Sequence, residues 1–265
     1  MSQNQSTNPY HLGIALAGGG ARGIAHIGVL QALEENGNFP DCVSGTSAGS
    51  IVGASYAAGK KPAEILDFVV ENSNILKVIR IGLPTVGLTK LTKLKEALAE
   101  IIPIDSFESL QKPLHLAICN LTAGKLEIRN AGELYNVVVA SCSIPIVFQA
   151  VQMNGATYVD GGLMLNLPAE PLYACCDQII GVNVMPNVAV RNKDVDNLME
   201  IGMRCFEMTI AANTEMQLAL CNQIIEPKKL HDYHPFAFNK YKEIYEIGYE
   251  ETMKNMDALK ACAGC

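Results

Sequence analysis

The chain has 265 residues, 49% of them hydrophobic and 18% charged, which supplies a sizeable core and excludes a disordered polypeptide. Its formal charge of -7 argues against nucleic acid as a partner, because displacing counterions from phosphates needs a basic footprint. The nine cysteines are odd in number and mostly embedded in apolar runs, the pattern of buried reduced thiols rather than a disulfide framework. Cys262 and Cys265 are spaced Cys-x-x-Cys with no second pair, so no metal site and no cofactor is expected.

Met1 to Pro9 is polar and carries no basic residue, which predicts a disordered tail over residues 1–9 and no secretory signal. His11 to Ala17 then reads as a buried strand running into Gly18-Gly19-Gly20-Ala21-Arg22-Gly23, followed by helical spacing over Ile24 to Asn36 and a stop at Gly37. Asp41 to Ser44 predicts a second strand, Gly45 to Gly49 a tight turn, and Ala48 to Ala58 a helix of small residues. A right-handed crossover makes the two strands parallel neighbours and brings both loops to one carboxyl edge of the sheet. A helix is predicted over Pro62 to Asn72, and Ile75 to Lys95 is an irregular apolar and basic stretch that merges into a helix ending near Ile102. Strands are expected at Leu114 to Leu121, Leu126 to Arg129, Thr157 to Val159 and Gln178 to Val184. Helices are expected over Leu134 to Ser141, Asp194 to Leu220 and Asn239 to Leu259. The longest apolar run, Val137 to Phe148, is interrupted by Ser141, Ser143 and Pro145 and is too short to span a bilayer. Together these elements predict an α/β fold, a three-layer α/β/α sandwich with a mostly parallel central sheet, as one domain over residues 10–265 of a cytoplasmic protein. Oligomeric state leaves no mark in the sequence.

Gly45-Thr46-Ser47-Ala48-Gly49 has the Gly-x-Ser-x-Gly form, in which small flanking residues let a strand turn sharply into a helix with one serine hydroxyl at the apex. Ser47 could also be an ordinary helix N-cap, but the strand before it, the helix after it and the donor-rich glycine loop beside it favour a nucleophile. Gly18 to Gly23 fits the dinucleotide pattern Gly-x-Gly-x-x-Gly as well; there an acidic residue should end the second strand, whereas Asp41 begins it. The other use of three consecutive glycines is to expose backbone N–H groups toward an oxyanion beside Ser47. For a base, His11 and His115 read as surface or core residues and His26 as a packing or capping residue. His231 and His234 would complete the chain order Ser, Asp, His of an α/β-hydrolase triad.

Gly-Gly-Gly-Ala-Arg-Gly at 18–23, Gly-Thr-Ser-Ala-Gly-Ser at 45–50, Ala-Ser-Cys-Ser-Ile-Pro at 140–145 and Val-Asp-Gly-Gly at 159–162 resemble, in order and spacing, the motifs of the patatin-like phospholipase family. The similarity covers roughly residues 12–185. The resemblance implies a lipid acyl hydrolase that cleaves carboxylic esters through a Ser-Asp dyad, without histidine and without a metal. It assigns Ser47 as nucleophile, Asp160 as base, Gly19 and Gly20 as oxyanion donors and Arg22 as a brace for the loop. Gly18, Gly23, Gly45, Gly49, Gly161 and Gly162 complete the motifs. The chain departs from the pattern at Ala17, where many members have aspartate, and at Cys119-Asn120-Leu121, where many bacterial members have Thr-Asp-Leu. A non-catalytic lipid-binding protein on the same fold is the other reading.

Two further stretches carry expectations. Ile75 to Lys95 holds Lys77, Arg80, Lys90, Lys93 and Lys95 but no acidic residue, and reads equally as a linker or as a lid making peripheral contact with an anionic membrane. Met199, Met203, Met208 and Met216 on the long helix read as core packing, ahead of an acyl tunnel or a dimer seam.

Overall fold

The computed structural model describes residues 8–72, 91–187 and 196–263. The first strand, β1 (Tyr10–Leu16), shows how the sheet comes to be covered on both faces. Its side chains alternate: Leu12, Ile14 and Leu16 enter a large aliphatic core, while Ala15 and the following Ala17 enter a thinner layer with Cys42, Leu167 and Leu172. The large core is shared with α1 (Ala25–Glu35), α2 (Ala48–Ala57), α3 (Pro62–Glu71) and, further along, α4 (Thr92–Ile101). The thin layer is closed by α6 (Glu170–Tyr173) and by Leu218 at the end of α7 (Leu198–Leu218).

The sheet has the order β5-β6-β3-β2-β1-β7-β8. β2 (Cys42–Gly45), β3 (Leu114–Asn120), β7 (Cys176–Val182) and β8 (Gln223–Ile225) run parallel to β1. β4 (Lys125–Arg129) folds back on β3, and the hairpin of β5 (Val151–Met153) and β6 (Ala156–Asp160) adds antiparallel to it. The architecture is the expected α/β sandwich with a mostly parallel sheet, and the predicted pairing of the first two strands is present in the register Gly13 to Cys42 through Leu16 to Gly45.

α5 (Tyr135–Ser141) follows β4, and α8 (Tyr241–Lys254) and α9 (Met256–Ala263) follow β8. α8 lies directly on α1. A side chain at Gly28 would stand 2.1 Å from the Tyr245 carbonyl oxygen, and one at Gly248 would stand 2.1 Å from that of Ala25, so the two helices touch backbone to backbone.

Several boundaries differ from expectation. The predicted helix Asn239 to Leu259 is two helices, broken at Asn255. The long helix starts later than Asp194, at an Asn197 cap whose Oδ1 accepts the Glu200 N–H at 3.0 Å. Met208 and Met216 are not core residues: they are 57% and 75% exposed. The basic stretch Ile75 to Lys95 lies outside the described residues up to residue 90, and its end forms the start of α4. Among the described residues no helix is long and apolar enough to cross a membrane.

Candidate active site

Ser47 stands between the end of β2 and the start of α2, with φ 52° and ψ -122°. Positive φ in a non-glycine residue costs on the order of 1–3 kcal/mol, and it persists only where the surroundings over-determine it. The Ser47 N–H donates to Ser141 Oγ at 2.9 Å, and the Ser47 carbonyl accepts from the Ser50 N–H at 2.8 Å and Ser50 Oγ at 2.6 Å. Cys142 Sγ lies 3.3 Å from the same carbonyl. Gly45 and Gly49 bring the backbones of the turn and of β1 together, and Thr46 Oγ1 donates to the Leu165 carbonyl at 2.9 Å. The backbone that carries the apical hydroxyl is thus held by short, buried contacts.

Asp160 ends β6, two strands away from β2. Gly45 pairs with Leu116, and Asp160 pairs with Ile118, so the carboxylate lies as far beyond Leu116 along β3 as Ser47 lies beyond Gly45 along its own strand. That register brings the two residues to one level at the carboxyl edge. Asp160 is 1% exposed; its Oδ1 accepts the Gly162 N–H at 2.8 Å, and its Oδ2 makes no hydrogen bond in the resting geometry. Burial raises its pKa from 3.8 to about 7, against the smaller opposing effects of the nearby Ser47 hydroxyl and the Gly162 N–H. The backbone N–H of Asp160 is anchored on the Ser143 carbonyl at 3.0 Å.

The glycine turn forms the third wall. Gly18 is already committed, its N–H donating to the Asn166 carbonyl at 3.1 Å, whereas the N–H groups of Gly19 and Gly20 make no hydrogen bond to any described residue. Gly20 has φ 58°, and a Cβ there would lie 2.3 Å from the Pro235 carbonyl oxygen, so no other residue fits without displacing that loop. Arg22 is buried and donates from Nε to the Tyr233 carbonyl at 2.6 Å and from Nη2 to that of His231 at 3.4 Å. It ties the turn to the 231–235 loop. Burial lowers its pKa, while the charge of Glu207 raises it. Gly23 packs against Ala48, and Gly161 against the Ala117 carbonyl.

Gly18, Gly19, Gly20, Ser47, Asp160 and Asn166 line one cleft of about 390 Å³, with Phe206, Ile210 and Phe236 among its apolar walls. Met203, read as core packing, is on its wall too. An apolar cavity of about 470 Å³, lined by Ile24, Ile51, Val52, Phe68 and Phe238, meets the turn at Gly20 and Ala48.

None of the described residues that line the cleft is a histidine. His26 is buried, its Nε2 hydrogen-bonded to the Ala17 carbonyl at 2.8 Å, and burial lowers its pKa to about 4, so the ring is neutral and donates that bond. Neither His231 nor His234 is among the described residues that line the cleft; His231 pairs with Asp232, and His234 Nδ1 accepts the Phe236 N–H. Asp41 accepts the N–H groups of His11 and Leu12 at the start of β1, far from where a ribose would need it.

In the sequence residues 141–143 stand out only as part of the motif at 140–145, with no role assigned to them. Ser141 Oγ receives the Ser47 N–H and donates to the Ala117 carbonyl at 2.9 Å, and Ser143 holds Asp160, so this segment couples the two halves of the site. Asn166, a wall of the cleft that also holds Gly18, and Asn213, which donates to the Gly162 carbonyl at 2.9 Å, were invisible, since a single asparagine in a loop has no distinguishing pattern.

Comparison with known proteins identifies the family. Residues 14–173 match the profile described as Patatin-like phospholipase. An uncharacterised NTE family protein of Mycobacterium tuberculosis (strain ATCC 25618 / H37Rv) is 33% identical over 187 residues, 70% of this chain and 49% of that protein. The Lysophospholipase NTE1 of Saccharomyces cerevisiae is 25% identical over 90% of this chain and 16% of its own length. The chain therefore spans about half, or far less, of the curated relatives it matches. The crystal structure of VipD from Legionella pneumophila superposes over 97% of this chain and 72% of that one with a TM-score of 0.57 at 16% identity, a likeness of fold. With its motifs gathered around one cleft and a profile match over more than half its length, the chain belongs to the patatin-like phospholipase family.

Proposed function

We propose that the chain hydrolyses lipid acyl esters with Ser47 as nucleophile and Asp160 as general base. The observation that carries this reading is the convergence, around one cleft, of a serine at a positive-φ turn, a buried carboxylate and two backbone N–H groups without a described partner. Ser47 Oγ attacks the ester carbonyl carbon as its proton passes to Asp160. The carbonyl oxygen, now an anion, is held by the N–H groups of Gly19 and Gly20 and by the N-terminus of α2. Asp160 then returns the proton to the leaving alcohol, and the C–O bond breaks to leave an acyl-serine. Water, deprotonated by the same carboxylate, releases the fatty acid.

An ordinary aspartate is a poor base for an alcohol. Here burial brings the Asp160 pKa to about 7, which gives it a strength near that of histidine and makes a third residue unnecessary. The His231 or His234 triad has no comparable support, since neither ring lines the cleft. A dinucleotide in the glycine turn would collide with the serine turn at the end of β2.

For the substrate, the apolar cavity beside Gly20 suits a hydrocarbon chain, and the lysophospholipase named among the relatives points to glycerophospholipid monoesters. The test is labelling with a fluorophosphonate followed by a panel of acyl esters of increasing chain length. Adduct formation at Ser47 and faster turnover of long-chain esters are expected. No adduct on a folded protein would favour a binding role instead.

A further inference from the structure

At the amino edge of the sheet, away from the cleft, three chain segments bring soft ligands together. Cys42 opens β2, His115 is the second residue of β3, and Cys175 precedes β7. Their Sγ and imidazole nitrogen atoms all lie within 4.8 Å of one another, and this is the grouping of three metal-ligating side chains that the described residues contain. The register explains the convergence. Ser44 pairs with His115, and Cys42 points to the same side as Ser44, so the thiol and the imidazole share one face of the sheet. The segment after β6 covers that face, with Ser44 Oγ donating to the Pro168 carbonyl at 2.6 Å and α6 delivering Cys175. Gly13, on β1, leaves space for Cys176, whose Sγ would stand 2.8 Å from a Cβ at that position.

We infer that Cys42, His115 and Cys175 form a zinc site that pins β2, β3 and the start of β7 together. Tetrahedral zinc with ligands at about 2.0–2.3 Å sets its donor atoms roughly 3.5–3.8 Å apart, so the three need to close by only about 1 Å. His115 and Cys175 are half-buried and can do so, and they leave an entry path from solvent. The Cys175 and Cys176 sulfurs are 3.8 Å apart, but Cys176 is not one of the three convergent ligands, so water takes the fourth position. Two thiolates and a neutral imidazole cancel the charge of the ion, which is what a partly buried site requires. Neither ring nitrogen of His115 hydrogen-bonds a described residue, so one is open to the ion. Each cysteine binds the ion as a thiolate, so its thiol proton leaves as the metal arrives. No electron changes hands.

The measurement is titration of the reduced full chain with zinc against a chromophoric chelator, and with cobalt followed by its visible spectrum. One equivalent per chain, thiolate-to-cobalt charge transfer, intense tetrahedral d–d bands and release of two protons are expected. Cys42→Ser and His115→Gln should each weaken zinc binding by more than about 100-fold, beyond what an outer-shell partner costs. Should Cys42→Ser fail to fold, His115→Gln at its half-buried position still decides. Cys262→Ser should bind as the wild type does. Binding that survives His115→Gln, that is lost in Cys262→Ser, or that is absent from reduced wild type while a Cys42–Cys175 disulfide forms in air, would overturn the assignment.

Discussion

Asp160→Asn should make the protein inactive and more stable, with the gain confined to one pH range. Burial raises the folded-state pKa of this carboxyl from 3.8 to about 7, whereas the unfolded chain titrates near the ordinary value. Between these limits the unfolded chain has released the proton and the folded chain keeps it, so folding stability falls as pH rises through the window and levels off above about 7. At 1.36 kcal/mol per pKa unit the ceiling of the loss is about 4 kcal/mol, and relaxation around a real buried charge brings the expected value to about 1–3 kcal/mol. Asparagine keeps the acceptor for the Gly162 N–H and carries no charge. Urea unfolding of both proteins at about pH 5 and about pH 8.5 should therefore show a small difference at the lower pH and a gain for the variant of about 1–3 kcal/mol at the higher. On a short p-nitrophenyl ester the variant should lose about 100- to 10,000-fold in kcat/KM, the usual contribution of a positioned base. Wild-type kcat/KM should fall below about pH 7 as the base is protonated. A stability difference that is the same at both pH values would refute the reasoning, because it would mean that the carboxylate is as well solvated folded as unfolded.

The other predictions concern the surrounding parts. Ser47→Ala removes one oxygen at the apex and should abolish ester turnover and fluorophosphonate labelling while leaving the circular dichroism spectrum and urea midpoint near wild type. Gly20→Ala places a methyl 2.3 Å from the Pro235 carbonyl oxygen in a positive-φ position, and should cost about 100-fold or more in kcat with a smaller change in KM, as loss of an oxyanion donor does. Ser141→Ala strands the buried Ser47 N–H and Ala117 carbonyl, so it should lower stability by about 1–3 kcal/mol in urea unfolding and depress kcat as well. His231→Ala and His234→Ala should each change kcat/KM by no more than about threefold; a loss as deep as that of Ser47→Ala in either folded variant would restore the triad.

The first sixty residues were legible because their signals are local. An apolar strand, a glycine turn, an apolar helical stripe and a small-residue turn each declare themselves within a few positions, and a right-handed crossover leaves one arrangement for them. β5 and β8, three residues each, carry no periodicity long enough to detect, and α6 is a single turn. The nearness of Asp160 to Ser47 depends on the antiparallel register of β6 on β3, a pairing between residues about forty positions apart that no local pattern encodes. What revealed Asp160 in the sequence was resemblance. Cys42, His115 and Cys175 are spread over more than a hundred residues, and each looks like a residue of an ordinary core until the sheet register places them on one face.

The backbone contact between α1 and α8 bears on how the chain acquires its structure during synthesis. Gly28 and Gly248 are more than two hundred residues apart, so the face of α1 that carries Gly28 gains its α8 cover only after the intervening residues have been made. Until then the large core, which takes Ile244 from α8, lacks part of its aliphatic wall. The closing step is a long-range docking rather than a local one, the kind of contact that forms late and leaves apolar surface exposed meanwhile.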